Sequence, residues 1–401
     1  MRTGARAIVL GLVLALSACG GSSTTGTSSS NSYQGKTIQL GAILSLTGAG
    51  GVYGPSSQRG MVLAVDNINN AGGVNGAKLL LDVRDDGSLK AQSQQVAQTL
   101  IQQGQFLALL GPTLSNSAVA VHPLAESFKI PILAVSTTGI HIVPDCNYPK
   151  TDACTYVFRD SLGEETAIPT NIMVYAAKAH PATGVLMVAN DDKFSSDGGK
   201  IVTNTVGKYG IQLLDTISFS KTITDFSVPV TKAVQKHPDV IFITSLGGIP
   251  ASIMIEARKQ GFTGQFLGGN GFNTAVVSKQ AGDAGKGAES GSAWYLSNTF
   301  PSNAEFVRDY KARYGNDADQ FAAQGYAAIL ILADAAKRAN LTFTDTAGDR
   351  TKLRDAMESV NIQTPLGPFQ FTTNHDVKQT VWVIAMDGHG GFTLVQSVNP
   401  S

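Results

Sequence analysis

Hydroxyl-bearing loops follow two short apolar runs of the chain, and hydroxyls beside free backbone N–H groups bind anions. Residues 111–117 read GPTLSNS, and residues 136–139 read STTG. In an open α/β sheet such loops would meet beyond the carboxyl ends of the strands, where ligands bind. The first loop also opens a predicted helix, whose N-terminus favours a carboxylate. The two loops predict a small-anion site, although plain helix capping by Ser115 and Ser117 is an alternative.

The sequence contains none of the common catalytic motifs. The six histidines form no H-E-x-x-H pattern and none stands beside a cysteine pair with metal-ligand spacing, so we expect surface or loop histidines. The sequence also contains neither a G-x-S-x-G nucleophile motif nor a G-x-x-x-x-G-K-S/T phosphate loop. We therefore predict no catalytic residue, no metal and no cofactor. A hydrolase would need a nucleophile–base pair, which the sequence does not display.

One glycine-rich segment imitates a dinucleotide-binding loop. Residues 48–54 read GAGGVYG after the first predicted strand, where the fingerprint requires G-x-G-x-x-G. Tyr53 stands where the third glycine belongs, and Asp85 and Asp86 lie further along the chain than the usual ~20 residues. We therefore expect no nucleotide cofactor at this segment.

The N-terminal segment predicts export and a lipid anchor. Arg2 and Arg6 precede an uncharged, mostly apolar run at residues 7–16. A run of this length covers about half of a 30 Å hydrocarbon core, which is typical of a signal peptide and too short for a membrane span. The run ends in LSAC, which resembles the bacterial lipoprotein signal and implies acylation of Cys19. A plain signal peptide with a chance cysteine is the alternative.

The other two cysteines, Cys146 and Cys154, stand close together in the loop PDCNYPKTDAC. An exported chain favours their oxidation, so we predict a disulfide that stabilises the fold by about 2.6 kcal/mol. A free thiol pair or a metal site is the alternative, but no histidine or third cysteine would complete a metal site.

The composition describes a globular body behind this leader. The 401 residues allow two or three domains, and the 43 % hydrophobic residues allow a large core. Thirty basic and thirty acidic side chains balance, which argues against nucleic acid as a partner. Residues 20–34, GGSSTTGTSSSNSYQ, predict a flexible tether with an r.m.s. reach of roughly 20 Å. No other segment approaches the length of an apolar membrane span, so we expect membrane contact only through the lipid.

Short β-rich runs alternate with helical stretches along the body. Strands are predicted at residues 37–46, 79–83, 106–110, 132–135, 185–189, 211–219, 240–244 and 265–268. Helices are predicted at residues 56–70, 89–103, 117–128, 166–178, 197–208, 228–236, 251–260, 303–314, 321–339 and 351–360. A hairpin-like pair at residues 369–373 and 381–386 precedes a run at 392–395. The alternation predicts the α/β class, with parallel, doubly wound sheets in two similar lobes.

Several phrases in order resemble the leucine/isoleucine/valine-binding family of solute receptors, which have the type I periplasmic-binding fold. They include GAILSLTGAGGVYG, LGPTLSNSAVAV, FRDSLGEE, VANDDKFSSDGG and TPLGPFQF, and the resemblance extends from residue 37 to about residue 395. It implies two lobes joined by a three-crossover hinge, closing on a small-molecule ligand that is delivered to a membrane ABC permease. We expect a monomer, exported and lipid-anchored, facing the periplasm or the cell exterior. A sensor that signals through a membrane partner is the alternative, since one fold serves several functions.

The resemblance also implies an amino-acid site on the two hydroxyl loops. The family's contacts to the ligand carboxylate correspond to Ser115, Ser136 and Thr138. Asn116 and Thr137 are their immediate neighbours in the two loops and complete the candidate set on this side.

The other half of the implied site departs from the family. The aromatic residue that covers the ligand corresponds to Tyr53, whereas a second-lobe tyrosine corresponds to Phe194 and another position falls near Leu246. The acidic residue that pairs with the ligand ammonium corresponds to Asn270, which offers only dipoles. A buried ammonium without a charged partner is costly.

These departures predict a ligand without an ammonium group, such as a small carboxylate, an amide or an aromatic acid. An amino-acid binder that uses a different acid is the alternative. Asp191 or Asp192 could take that place, but both are expected on a surface loop.

The resemblance divides the chain into interleaved parts. We predict a signal peptide at residues 1–18 and a lipidated tether at residues 19–35. The first lobe would contain residues 36–158 and 296–368, and the second lobe residues 159–295 and 369–398.

Overall fold

The computed structural model describes residues 32–143 and 155–400. The predicted signal peptide and Cys19, Cys146 and Cys154 lie outside the described residues. Tyr33, which the sequence placed in the tether, belongs to the body: its ring is buried, and its hydroxyl donates to Ala336 O (3.2 Å) and accepts from Leu341 N (3.0 Å).

The first lobe starts with parallel strands that form one sheet in the order β2-β1-β3-β4-β5. These strands are β1 (Thr37–Leu44), β2 (Lys78–Asp85), β3 (Ala108–Leu110), β4 (Ile132–Ala134) and β5 (Val157–Arg159). The helices between them are α1 (Gly54–Asn70), α2 (Lys90–Gln102) and α3 (Ser115–Ser127). The central strands are buried on both faces, as the continuous apolar runs of the sequence predict for a covered parallel sheet.

The second lobe repeats this arrangement. Its parallel strands are β6 (Thr183–Ala189), β7 (Gln212–Phe219), β8 (Val240–Thr244), β9 (Gln265–Gly268) and β10 (Glu289–Ser292). Its helices are α4 (Glu164–Ala179), α5 (Lys193–Val206), α6 (Ser227–Val234), α7 (Ile249–Lys259) and α8 (Ala275–Ala281). The predicted class, an α/β fold with two doubly wound lobes, is confirmed.

The chain then returns to the first lobe and leaves it again. The returning elements are α9 (Asn303–Tyr314), α10 (Gln320–Arg338), α11 (Thr346–Glu358), β11 (Asn361–Thr364) and β12 (Gly367–Gln370). The last two strands join the second sheet in antiparallel fashion, giving the order β14-β13-β10-β9-β8-β6-β7; they are β13 (Val381–Met386) and β14 (Phe392–Val398). Over the described residues the chain therefore crosses between the lobes three times, as the resemblance implied.

Helices α1 and α10 pack backbone to backbone because glycine stands at their contact. A Cβ atom on Gly60 would lie 2.0 Å from Ala322 O, and one on Gly325 would lie 2.2 Å from Ser57 O. The core of the first lobe is thus assembled from both ends of the chain.

Arg159, at the end of β5, ties two of the crossings together. Its buried guanidinium donates to Glu165 Oε1 (2.8 Å) and to Asp376 Oδ1 (2.9 Å). Glu165 lies in the first turn of α4, just after the first crossing, and Asp376 lies in the third crossing. This pairing compensates the burial of the charge, which would otherwise be costly.

The C-terminal hairpin differs from the prediction. Residues Gly367–Gln370 pair with Asn361–Thr364, not with residues 381–386, because the turn at Gly367 (φ +110°) brings those two strands together. Phe369 and Phe371 pack into the first-lobe core, so the last crossing follows Phe371 instead of residue 368. Strands β5, β10 and β11 and helix α8 were not predicted.

One histidine differs from the expectation of surface or loop positions, and a loop histidine is buried. His122, in α3, is wholly buried, and this burial lowers its pKa to about 3. His375 is largely buried and stacks on Phe158 with 3.9 Å between ring centroids. Among the described residues no group of His, Cys, Asp and Glu is arranged to hold a metal ion, and no helix is long and apolar enough to cross a membrane.

Candidate functional site

A small cavity lies between the two lobes. Its wall contains the predicted residues Tyr53, Ser115, Ser136, Phe194, Leu246 and Asn270, together with Thr113, Leu114 and Phe321. Apart from Phe321, each of these residues follows a strand of one of the two sheets. The cavity therefore occupies the place where open α/β sheets bind ligands, the carboxyl ends of their strands.

The N-terminus of α3 forms one end of the cavity. Its N-cap residue is Leu114, and no side chain caps this helix end. The alternative interpretation, helix capping by Ser115 and Ser117, is therefore wrong. Ser115 Oγ accepts from Gly139 N (3.1 Å), and Ser136 Oγ donates to Thr113 O (3.1 Å). Hydroxyls beside an uncapped helix N-terminus suit a carboxylate.

Thr137 and Thr138 do not lie on the cavity wall. Thr137 Oγ1 donates to Pro112 O (2.6 Å) and therefore fastens its loop to the neighbouring one. Thr138 Oγ1 donates to Glu164 Oε1 (3.3 Å) at the first crossing. Both hydroxyls hold the loops in place in this closed arrangement.

Asn116 lies outside the cavity wall and links the lobes instead. Its Nδ2 donates to Asp192 Oδ2, and its Oδ1 accepts from Lys193 N (2.7 Å). Asp192 is almost fully buried and caps α5 through Ser195 N (2.9 Å), so the expectation of a surface loop is wrong for Asp192. Asp191 is bound on the surface to Ser220 Oγ (2.7 Å).

Tyr53 joins the lobes across the cavity. Its ring packs on Phe321 with 4.8 Å between centroids. Its hydroxyl accepts from Gly247 N (2.9 Å) and donates to Gly271 O (3.2 Å), both in the second lobe. Burial, and to a lesser degree the nearby carboxylates of Asp192 and Glu164, raises the pKa of Tyr53, so the hydroxyl stays protonated.

Phe194 and Leu246 supply apolar surface from the second lobe. Phe194 is the second residue of α5, and Leu246 follows β8. Both line the cavity. Its wall combines apolar side chains with the polar groups of Ser115, Ser136 and Asn270.

Asn270 is held from two directions. Its Oδ1 accepts from Gln320 Nε2, and its backbone N–H donates to Glu164 Oε1 (2.7 Å). Gln320 Oε1 in turn accepts from Asn273 Nδ2 (3.1 Å) and Ala293 N (2.9 Å), which ties the start of α10 to the second lobe.

Glu164, the first residue of α4, is the acid behind this part of the site. It is fully buried, and burial raises its pKa to about 8. Its Oε2 atom makes no hydrogen bond. At neutral pH the carboxyl is therefore mostly protonated in the ligand-free structure.

Sequence reasoning did not find Glu164, Phe321 or Gln320. In the sequence Glu164 is half of a Glu–Glu pair that is typical of the first turn of any helix. Phe321 and Gln320 lie more than 260 positions after Tyr53, so no local spacing connects them with the cavity. Thr113 and Leu114 belong to the GPTLSNS loop, so the sequence offered enough information to include them in the predicted site.

Comparison with known proteins gives the same architecture. The chain is 22 % identical over 354 residues to a leucine-, isoleucine-, valine-, threonine- and alanine-binding protein of Pseudomonas aeruginosa, covering 87 % of this chain and 89 % of that protein. A Leu/Ile/Val-binding protein of Citrobacter freundii is also 22 % identical, covering 87 % and 90 % of the two chains.

Solved structures share the fold. A branched-chain amino acid transporter substrate binding protein of Streptococcus pneumoniae, in complex with isoleucine, superposes with a TM-score of 0.80 at 23 % identity, covering 91 % of this chain and 100 % of the other. A solute binding protein of R. palustris, in complex with benzoate, gives 0.79 at 21 % identity, covering 91 % and 97 %.

A family model for periplasmic binding proteins matches residues 37–391, nearly the whole of the described body. Members of this family bind solutes and are not enzymes. The chain belongs to the periplasmic binding protein family.

Proposed function

We propose that this protein is the solute-binding component of an ABC importer, which captures a small carboxylate-bearing ligand and delivers it to a membrane permease. The observation that carries the proposal is the cavity between the lobes, whose wall takes residues from both. The named ligands of the similar proteins, branched-chain amino acids and benzoate, support it because each combines a carboxylate with an apolar body.

The cavity wall is suited to such a ligand. The carboxylate would lie at Ser115, Ser136 and the N-terminus of α3, while Phe194 and Leu246 would cover the apolar part. We propose a branched-chain amino acid or a related amide or aromatic acid.

The proposed mechanism is a population shift toward the closed form. A ligand that contacts both lobes binds the closed form more tightly than the open one and therefore stabilises closure. The permease would recognise the closed form. No bond is made or broken, so no residue of the cavity needs to act as an acid, base or nucleophile.

We also propose that the protein is exported and anchored through acylated Cys19, with residues 20–32 as a tether and Cys146 and Cys154 joined as a disulfide. Stable anchoring needs more than one acyl chain. Mass spectrometry of the mature protein tests both proposals: we expect an acylated N-terminal Cys19 and no free thiol. An unmodified cysteine at the N-terminus would refute the anchor, and free thiols would refute the disulfide.

Isothermal titration calorimetry with leucine, valine and benzoate tests the ligand proposal. We expect at least one of them to bind, and Ser115→Ala to weaken its binding about 5- to 30-fold through the lost hydrogen bond to a carboxylate. Ser127→Ala, at the opposite end of the same helix α3, is the matched control and should bind normally. The proposal fails if no carboxylate ligand binds or if Ser115→Ala binds as tightly as Ser127→Ala.

A further inference from the structure

A cleft in the second lobe lies at the amino ends of β9 and β10, whereas the cavity between the lobes lies at the carboxyl ends of the strands. Helix α4 forms one wall of this cleft through Val174 and Lys178, and β14 forms another through residues 393–396. Its floor includes Glu289 of β10 and Ala385 of β13. None of these residues lines the cavity between the lobes, so the two sites are separate.

The pairing of the strands opens a path from the edge of the sheet to Glu289. Glu289 pairs with Ala385, and Ala385 pairs with Thr393 on the edge strand β14. Paired residues share a face of the sheet, and neighbouring strands are about 4.8 Å apart, so Glu289 lies roughly 10 Å in from the edge strand. Ala385 stands between them, and its methyl group fills little of that space.

Glu289 is a buried acid without a partner. The residue is 4 % exposed, and its Oε2 atom makes no hydrogen bond. Burial raises its pKa, and the ammonium of Lys178 offsets this only in part, because the two side chains form no ion pair. A buried carboxylate without a hydrogen-bonded partner is costly, and a cation bound beside it would compensate this cost.

The end of α4 also favours a cation in the cleft. Its last turn contains Lys178 and borders the cleft, and the C-terminus of a helix carries a partial negative charge. Lys178 is exposed, so solvent screens its repulsion of a second cation. Apolar surface completes the wall, since Val174 and Leu394 both line the cleft and Leu394 is 41 % exposed.

We propose that this cleft is a second binding site, which takes a primary ammonium group on a short apolar stem. The ammonium would donate to the Glu289 carboxylate, and the stem would lie over Ala385 between Val174 and Leu394. A small alkylamine has this chemistry, because its ammonium presents three donors on a compact charge. The site goes beyond the proposed function and does not depend on the ligand captured between the lobes.

Titration of the intact protein with n-pentylamine tests this inference. Ligand-observed NMR follows the binding, and 1-pentanol serves as a probe of nearly the same shape without the charge. We expect pentylamine to bind at millimolar concentration or below. Pentanol should bind at least about 10-fold more weakly, because it cannot form the charged hydrogen bond to Glu289.

Two variants locate the bound amine. Glu289→Gln removes the negative charge and keeps the shape of the side chain, whereas Ala385→Val narrows the path and keeps the acid. We expect each to weaken pentylamine binding by about 10-fold or more. Asp283→Asn is the matched control, because Asp283 is an exposed acid of the same lobe outside the cleft. Thermal unfolding checks that every variant is folded before it is titrated.

The outcomes decide between a site at Glu289 and none. Pentylamine that does not bind the intact protein, or binds no more tightly than pentanol, overturns the inference. Binding that a folded Glu289→Gln or Ala385→Val variant leaves unchanged also overturns it, since the ammonium must pass Ala385 to reach the acid. Equal weakening by Asp283→Asn would show a general effect of charge instead of a site. The titrations with leucine, valine and benzoate decide the proposed function separately.

Discussion

Buried carboxyl groups make the ligand-free protein sensitive to pH. Glu164 has its pKa raised to about 8 by burial, whereas an unfolded glutamate titrates near 4.3. Between these two values the folded chain binds more protons than the unfolded chain. Raising the pH through this interval therefore favours unfolding, which is the reverse of the usual effect of a paired carboxylate.

We predict that Glu164→Gln is progressively more stable than the intact protein as the pH rises from 5 to 9. The reason is that the amide never ionises, whereas the carboxyl does so at a cost. Thermal unfolding of both ligand-free proteins across this range measures the difference. Two melting curves that keep a constant separation at every pH would contradict the prediction.

Cavity residues that belong to a recognisable local sequence pattern could be predicted. Ser115 and Ser136 stand in hydroxyl-bearing loops that follow strands, and in the structure both line the cavity. Glu164 could not be recognised, because its burial depends on Gly269 and Thr138, which are distant in the chain. Asn116 was predicted to contact ligand and instead contacts Asp192, since a single sequence does not show how far two lobes close.

Close helix packing is the main feature at the scale of elements. Gly60 in α1 and Gly325 in α10 let the two backbones touch, so the register of these helices depends on the absence of two side chains. Glycine in the middle of a helix costs about 0.5–1 kcal/mol relative to alanine, and the contact offsets this cost.

We predict that Gly60→Ala destabilises the protein by roughly 1–3 kcal/mol, because its Cβ would lie 2.0 Å from Ala322 O. Gly207→Ala is the matched control: nothing lies within 4 Å of its Cβ and its φ is −62°, so stability should be unchanged or rise by about 0.4–1 kcal/mol. Urea unfolding measures both. Equal midpoints for the two variants would contradict this account.

Elements with a clear periodicity were predicted, and elements without one were missed. The helices of the body follow their apolar spacing closely, and α9 was predicted with its observed ends. Strand β10 reads ESGS and has no apolar run; it is a strand because β9 and β13 pair with it. The hairpin of β11 and β12 was missed because the sequence favoured the stronger run at β13 as the partner.

The whole molecule is held closed by contacts between its lobes as well as by any ligand. Asn116 reaches Asp192 and Lys193, and Tyr53 reaches Gly247 and Gly271. The two lobes were predicted from the alternation of strands and helices. The three crossings came from the resemblance, because helical spacing does not show which segments return to which lobe.

We predict that Asn116→Ala shifts the ligand-free protein toward the open form, because it removes both contacts with the start of α5. Small-angle X-ray scattering should show a larger radius of gyration for this variant than for the intact protein without ligand. Asn316→Ala, which removes an exposed contact within one loop, is the control. Identical scattering from the two variants would show that Asn116 does not hold the lobes together.

The joining of α1 to α10 has a consequence for biosynthesis. Asn67 Nδ2 and Tyr326 Oη are 3.3 Å apart in the fold and 259 positions apart in the chain. A ribosome that adds about 5–20 residues per second needs roughly 13–50 s to make the intervening chain. During that time the nascent first lobe lacks the helix that completes its core, so translocation of an unfolded chain could begin before stable structure forms.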